Sequence, residues 1–285
     1  MAGAIGMKRG RRDITVAESD DMATTALGGH VVASDVSEEA RKDRPHSKLW
    51  MERTGAFECS EDEQISEDMV LKGKKYYSNG NRGVVYIATC VMKGGEVKVA
   101  VKEILHEKHI KPGRCYIGEE ALEKEAGWLQ RANEHGIGPR FLYGDSRKVI
   151  MEFVEGKRIL AFITEEHDEE RCKKALCEVL TQLRKLDSLH IHKGEFVRPD
   201  RHILIRDDGT PVLIDFERCK ESSTPQNITQ FVQFLAGIKL DAALHSNGKN
   251  VKINGERLRE LSRDYKSQGY REQEFELMLN LIRNS

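Results

Sequence analysis

The order of apolar and polar positions divides the chain. Over residues 1 to about 65 no apolar period persists. Acids, Ser, Thr and Gly are mixed without a face to bury, a composition that cannot offset the entropy of ordering it. Residues 1–65 are therefore expected to be a disordered tail. From Met69 the pattern changes. Val84-Val85-Tyr86-Ile87-Ala88 is β-rich, Gly94-Gly95 supplies a turn, and Val97 to Val101 makes a second strand, which together predict a hairpin. Between Glu119 and Asn133 the period becomes helical: Leu122, Ala126 and Leu129 recur at i, i+4 and i+7, and Gly136 and Gly138-Pro139 end the run. Phe141-Leu142-Tyr143 and Lys148 to Phe153 predict two further strands. Thereafter the chain reads as mainly helical. Glu170 to Leu189 places Leu176, Leu180, Leu183 and Leu186 on one face. Ile203-Leu204-Ile205 and Val212-Leu213-Ile214 flank the turn Asp207-Asp208-Gly209. Two last helices are expected at Asn227 to Ala236 and Glu256 to Ile282, the second broken at Gly269. Sheet first and helices after predicts an α+β fold of two lobes around a cleft: an antiparallel-sheet lobe over 66–153 and a reduced helical lobe over 154–285.

Composition narrows the partners. The 285 residues carry 46 Lys+Arg against 47 Asp+Glu, so nothing in the balance draws the chain toward nucleic acid or an anionic bilayer. No apolar run approaches the roughly 20 residues that span a membrane. No apolar stretch follows Lys8, Arg9, Arg11 and Arg12 as a signal peptide requires, and Asp13, Glu18, Asp20 and Asp21 come too early for a mitochondrial presequence. The six cysteines (Cys59, Cys90, Cys115, Cys172, Cys177, Cys219) form no CxxC pair and no metal-ligand spacing. They read as reduced, buried or semi-buried thiols of a cytoplasmic or nuclear chain. The basic run at 8–12 reads as a solvated cluster, with nuclear import or phosphate binding as its functional alternatives.

Four segments carry candidate chemistry. Ser78-Asn79-Gly80-Asn81-Arg82-Gly83-Val84-Val85-Tyr86 is a Gly-rich strand–turn–strand whose backbone N–H groups are able to close over phosphates. Alone, it is equally a plain hairpin turn. Val99-Ala100-Val101-Lys102 follows, a strand rigid enough to aim an ammonium at phosphate oxygens, although an exposed strand Lys has the same look. On the next helix Glu125 adjoins the stripe Leu122, Ala126 and Leu129. That position favours it over Glu119, Glu120 and Glu123 as the inward-facing acid. The fourth segment runs Lys193-Gly194-Glu195-Phe196, Arg198-Pro199, His202-Ile203-Leu204-Ile205 and Val212-Leu213-Ile214-Asp215-Phe216-Glu217. An acidic loop here precedes a strand pair that delivers Asp215 from an apolar strand end, open to a hard cation such as Mg²⁺. A lone Asp at such a place is ordinarily a turn residue; its position after Lys102, Glu125 and Glu195 makes it a candidate ligand.

In that order and spacing, the stretch from about 71 to 236 resembles the protein-kinase-like superfamily. The pieces are GxGxxGxV (Ser78 in the first glycine's place), VAVK, a helix Glu, an acidic loop and a DFG-type end. The chain is most similar to the compact RIO-like and KEOPS-kinase-like branch, closest to the archaeal-type predicted Ser/Thr protein kinases. The resemblance implies a bilobal protein-kinase-like fold and ATP- and Mg²⁺-dependent phosphotransfer to protein Ser/Thr, or a closely related ATPase activity. It implies that Ser78, Gly80, Gly83 and Val85 cover the nucleotide. Met151-Glu152-Phe153-Val154-Glu155-Gly156 would connect the lobes and meet adenine through its backbone, at Glu152 and Val154. Lys102 would contact the α/β-phosphates with Glu125 orienting it. Glu195 would replace the catalytic Asp, His202 the metal-binding Asn, and Asp215 would hold Mg²⁺.

The departures from the family pattern are specific. The kinase loop HRDxxxxN puts five positions between its Asp and Asn, whereas Glu195 to His202 spans seven, with two residues inserted around Arg198-Pro199. Glu for Asp carries the carboxylate one methylene farther out, which leaves Asp200 as an alternative base. DFG reads Asp215-Phe216-Glu217, without the Gly that lets the following segment swing. No APE motif and no long activation segment follow, so the usual peptide-docking platform is expected to be missing. A nucleotide-binding pseudokinase scaffold is the alternative raised by Glu195, His202 and the lost Gly; a small-molecule kinase is raised by the missing platform. A zinc site at His190, His192, His202, Glu195 and Asp200 leaves Lys102 and Glu125 unexplained. The protein substrate or complex partner is not legible in the sequence.

Overall fold

The computed structural model describes residues 62–79, 83–104, 120–194, 196 and 198–285. The basic run at 8–12, Gly80 and Glu195 lie outside the described residues, as does the predicted tail up to 61. The architecture is α+β: a curled antiparallel sheet followed by helices, compatible with two lobes.

The sheet has the order β1-β2-β3-β4-β6-β5, built from β1 Glu63–Ser66, β2 Met69–Asn79, β3 Gly83–Met92, β4 Gly95–Ile104, β5 Phe141–Gly144 and β6 Lys148–Glu152. Strand β1 starts inside the stretch read as tail, because Glu63 and Gln64 pair with Leu71 and Val70. Alternation along β4 decides which side chains face where. Val99 and Val101 point to one face and join Leu71, Ala88, Cys90 and Ile150 in the core of the sheet. Ala100 and Lys102 point to the other, beside Met151 and Val149 of β6. That second face is covered by α1, Glu120–Asn133. Leu122 and Ala126 of α1 pack on Val149, whereas Leu129 and Ala132 enter the larger helical core. One apolar stripe thus ties α1 to both bodies.

The helical part comprises α2 Ile159–Glu165, α3 Glu169–Ser188, α4 Pro199–His202, α5 Asn227–Leu235, α6 Ile238–Leu244, α7 Gly255–Ser267 and α8 Glu272–Arg283. Asp168 caps α3 by accepting from the N–H groups of Glu170 and Arg171. The leucine face of α3, Leu176, Leu180, Leu183 and Leu186, is fully withdrawn from solvent. Gly269 (φ +80°) and Tyr270 (φ +64°) separate α7 from α8, at the break the sequence predicts. Helices α2 and α6, each of seven residues, are additions to the expected layout.

Short strands complete this part: β7 Lys157–Arg158, β8 Ile191–His192, β9 Ile203–Ile205, β10 Pro211–Leu213 and β11 Lys220–Glu221. Strands β9 and β10 form the expected antiparallel pair, β7 adds to β9, and β11 pairs with β8. The connection after β6 is pinned to β9, since a Cβ on Gly156 would fall 2.5 Å from the Ile205 carbonyl oxygen. Among the described residues no helix is long and apolar enough to cross a membrane.

Candidate functional site

The site lies where the α1-covered face of the sheet meets the end of β10. Lys102 leaves β4 between its cross-strand neighbours Val85 and Val149. The packing of Leu122 and Ala126 on the same face brings Glu125 in beside it, with Glu125 Oε2 at 2.7 Å from Lys102 Nζ. Glu125, the acid chosen by its place beside the apolar stripe, is 2% exposed, whereas Glu120 and Glu123 face solvent. From the opposite body come Asp215 Oδ1 at 3.4 Å and Glu217 Oε2 at 3.1 Å, both accepting hydrogen bonds from the same ammonium. Glu125, Asp215 and Glu217 each place a carboxylate oxygen within 4.8 Å of the other two.

Asp215 is held by its backbone. Its φ of +68° is in the left-handed region that costs a non-glycine residue about 1 kcal/mol or more. The restraint comes from Lys193, wholly buried, whose Nζ donates to the carbonyl oxygens of Ile214 and Asp215 at 2.6 Å each. The same ammonium lies 4.9 Å from the centre of the Phe216 ring and 5.4 Å from that of Phe196. Lys193 is fixed in turn: its N–H donates to Asn227 Oδ1, and Asn227 Nδ2 donates to Asp187 Oδ1 and to the Ile191 carbonyl. Asp187 also accepts from the N–H groups of Asn227 and Ile228 at the start of α5, and from the Tyr265 hydroxyl. A polar chain therefore runs from α7 through α5 and α3 to the backbone of Asp215.

His202, at the end of α4, brings Nδ1 to 3.4 Å from Asp215 Oδ2, so the structure joins both expected metal residues. Ser78 and Val85 face each other across β2 and β3. Gly83 is required for a packing reason, because a Cβ there would meet the Glu103 carbonyl oxygen at 2.4 Å. Glu152 turns its carboxylate to Arg206 Nη2 at 2.7 Å and to the Arg140 N–H at 3.3 Å, while Val154 is buried. The Phe153 N–H between them is already taken by the Lys98 carbonyl. Glu217 and Lys193 are the residues whose part the sequence reading did not assign. The signal for Glu217 is the alternation Asp215-Phe216-Glu217, in which the central ring is buried and two acids flank it.

Against known proteins, the chain is 31% identical over 117 residues to uncharacterized protein MJ1211 of Methanocaldococcus jannaschii, which takes in 98% of that protein and 41% of this chain. The chain belongs to the MJ1211 family. No family model matches it.

Electrostatics follow from this crowding. Burial disfavours the charge on Lys102, but Glu125, Asp215 and Glu217 outweigh it and hold the ammonium well above the usual lysine range. Burial pushes Glu125 up against the pull of Lys102. Burial also acts to raise Asp215, yet the His202 hydrogen bond and the charges of Lys102 and Lys193 keep it well below the usual carboxylate range. Asp215 is therefore an anion with about a third of its side chain open to solvent, the state a hard cation requires. The zinc alternative does not assemble among the described residues: His190, His192, His202 and Asp200 form no clustered donor set, and His192 Nδ1 accepts from the Gln226 N–H at 3.2 Å.

Proposed function

We propose that this chain is an atypical compact protein-kinase-like phosphotransferase that uses ATP and Mg²⁺ to phosphorylate protein Ser/Thr, or carries out the closely related ATP hydrolysis. One observation carries the reading: Lys102 from the sheet, Glu125 from α1 and Asp215 from the end of β10 converge within 3.4 Å of one ammonium, although they are far apart in sequence. A cation paired with a buried acid on one side and with an ionised Asp on the other is suited to a polyphosphate and its counter-ion.

Mg²⁺ suits the site, since Asp215 offers an ionised, partly exposed carboxylate with hard oxygen donors. Bound there, Mg²⁺ would neutralise phosphate charge. Lys102 would bind the α/β-phosphates while Glu125 keeps its ammonium charged and directed. Lys193 would keep the Asp215 carboxylate aimed, and His202 would keep it ionised. Glu195 remains the proposed base, with Asp200 as its alternative, and Arg198 the proposed stabiliser of transferred charge. Positioning and charge balance, rather than covalent chemistry, would then lower the barrier.

The test is transfer or release of the ATP γ-phosphate by purified protein, comparing wild type with Lys102→Ala and Asp215→Ala. Loss of turnover in both is the expected result; activity that survives both changes removes the mechanism. A nucleotide-binding scaffold is favoured by the Glu217 contact with Lys102, and ATP binding without turnover in the wild type would select it.

A further inference from the structure

An ammonium has three donor hydrogens. Lys102 faces three carboxylates: Glu125 at 2.7 Å, Glu217 at 3.1 Å and Asp215 at 3.4 Å. Glu217 and Asp215 accept hydrogen bonds from the ammonium and Glu125 pairs with it by charge, so a nucleotide phosphate reaching this lysine competes with carboxylates already in place. Glu125 is wedged beside the packed stripe of α1. Asp215 is fixed through its own carbonyl by Lys193. Glu217 reaches Lys102 on a side chain with three rotatable bonds, from the position at which the kinase pattern has a glycine with no side chain at all. Its contact also adds a negative charge where polyphosphate oxygens would lie.

We infer that Glu217 is a built-in competitor for nucleotide phosphate at Lys102, and that it makes the site discriminate against nucleotide that carries no divalent cation. The inference rests on the nucleotide reading above. An uncomplexed triphosphate must take Lys102 from Glu217 and then lie against an unneutralised carboxylate. The cation complex meets the same site with much of its own charge already balanced. Glu217 is thus a determinant of which ionic form of the nucleotide enters.

The experiment measures dissociation constants for ATP by calorimetry, once with excess EDTA and once with Mg²⁺, for wild type, Glu217→Gln and Glu217→Ala. Circular dichroism melts confirm that each variant folds. Both substitutions should tighten metal-free ATP by about tenfold or more, the effect of removing one unit charge a few ångströms from the phosphates. Mg·ATP should bind at least as tightly as in wild type. Glu217→Ala should exceed Glu217→Gln, whose amide oxygen still accepts from Lys102. Wild type that binds Mg·ATP beside variants that gain nothing in EDTA overturns the inference and leaves the nucleotide reading standing. Weaker Mg·ATP binding in the variants also overturns it, by assigning Glu217 to the cation. Wild type that binds ATP in neither condition removes both.

Discussion

Lys193 grips Asp215 by the main chain: a fully buried ammonium donates to the Asp215 carbonyl, and to that of Ile214 before it, at 2.6 Å. The grip explains how a residue with φ +68° keeps its carboxylate directed at Lys102 and His202. Burying a charge is costly unless it is well bonded, and here two carbonyl dipoles and two aromatic faces provide the compensation.

Lys193→Met keeps the volume and removes the donors. Two partly buried carbonyls then lose their partner, at a cost of roughly 2–4 kcal/mol in unfolding free energy by urea titration. On the proposed function, ATP affinity should fall as well, since Asp215 is free to relax. A loss under about 0.5 kcal/mol would mean that water replaces the ammonium and that the grip is dispensable.

How much of this was legible follows from what kind of signal each residue leaves. Lys102 was legible because β4 alternates, and Glu125 because its neighbours Leu122, Ala126 and Leu129 fix the inward face of α1. Strand β2 was only partly legible. Its lysines break the apolar alternation, and it is held instead by charge: Lys74 pairs with Glu63 and Glu103 and lies 4.6 Å from the centre of the Tyr86 ring. Helices α2 and α6 are too short for a 3.6-residue period to stand out. Lys193 and Asn227 were not assigned because polar residues that bond to backbone leave no periodic trace. The neighbouring chemistry was visible, but the second layer that holds it was not.

Lys102→Met should abolish the proposed nucleotide binding and destabilise the fold. The substitution leaves Glu125, Asp215 and Glu217 crowded together without their shared cation. Removing one partner of a buried ion pair costs roughly 3–5 kcal/mol. Acid should narrow the gap. Without Lys102, Glu125 and Asp215 lose the charge that holds their pKa values down and take up protons at higher pH, so the variant's deficit relative to wild type shrinks as pH falls from 7 toward 5. Denaturant titrations at several pH values check this, and a deficit that does not change with pH would show that the acids are not repelling one another.

Gly138→Ala tests how tightly the end of α1 is seated on the site. At φ +88°, a Cβ on Gly138 would meet Phe216 Cε2 at 2.9 Å and Leu129 Cδ1 at 3.0 Å. Backbone strain and the clash together should cost about 2 kcal/mol or more. Because Phe216 follows Asp215 directly, the displacement should also weaken Mg·ATP binding. Thermal unfolding and nucleotide titration on the same samples check both. Lowered stability with unaltered nucleotide binding would show that Phe216 moves without carrying Asp215 along.

Asp187 should give the molecule a pH-dependent stability of known sign. Burial raises its carboxyl to about 7, even though the Asn227 and Ile228 N–H groups, the Asn227 amide and the Tyr265 hydroxyl all favour the anion. In the unfolded chain the same group titrates near 3.9. The folded protein therefore binds the proton more tightly, and the stability gained from it is fully present below about pH 4 and is lost as pH rises through about 7. Asp187→Asn has no such proton to bind. The unfolding free energy of wild type minus that of Asp187→Asn should consequently fall by roughly 4 kcal/mol between pH 4 and 8, and level off above. Urea titrations across that range measure the difference directly. A difference that rises with pH would mean that the four donors outweigh burial and that Asp187 is held as an anion throughout.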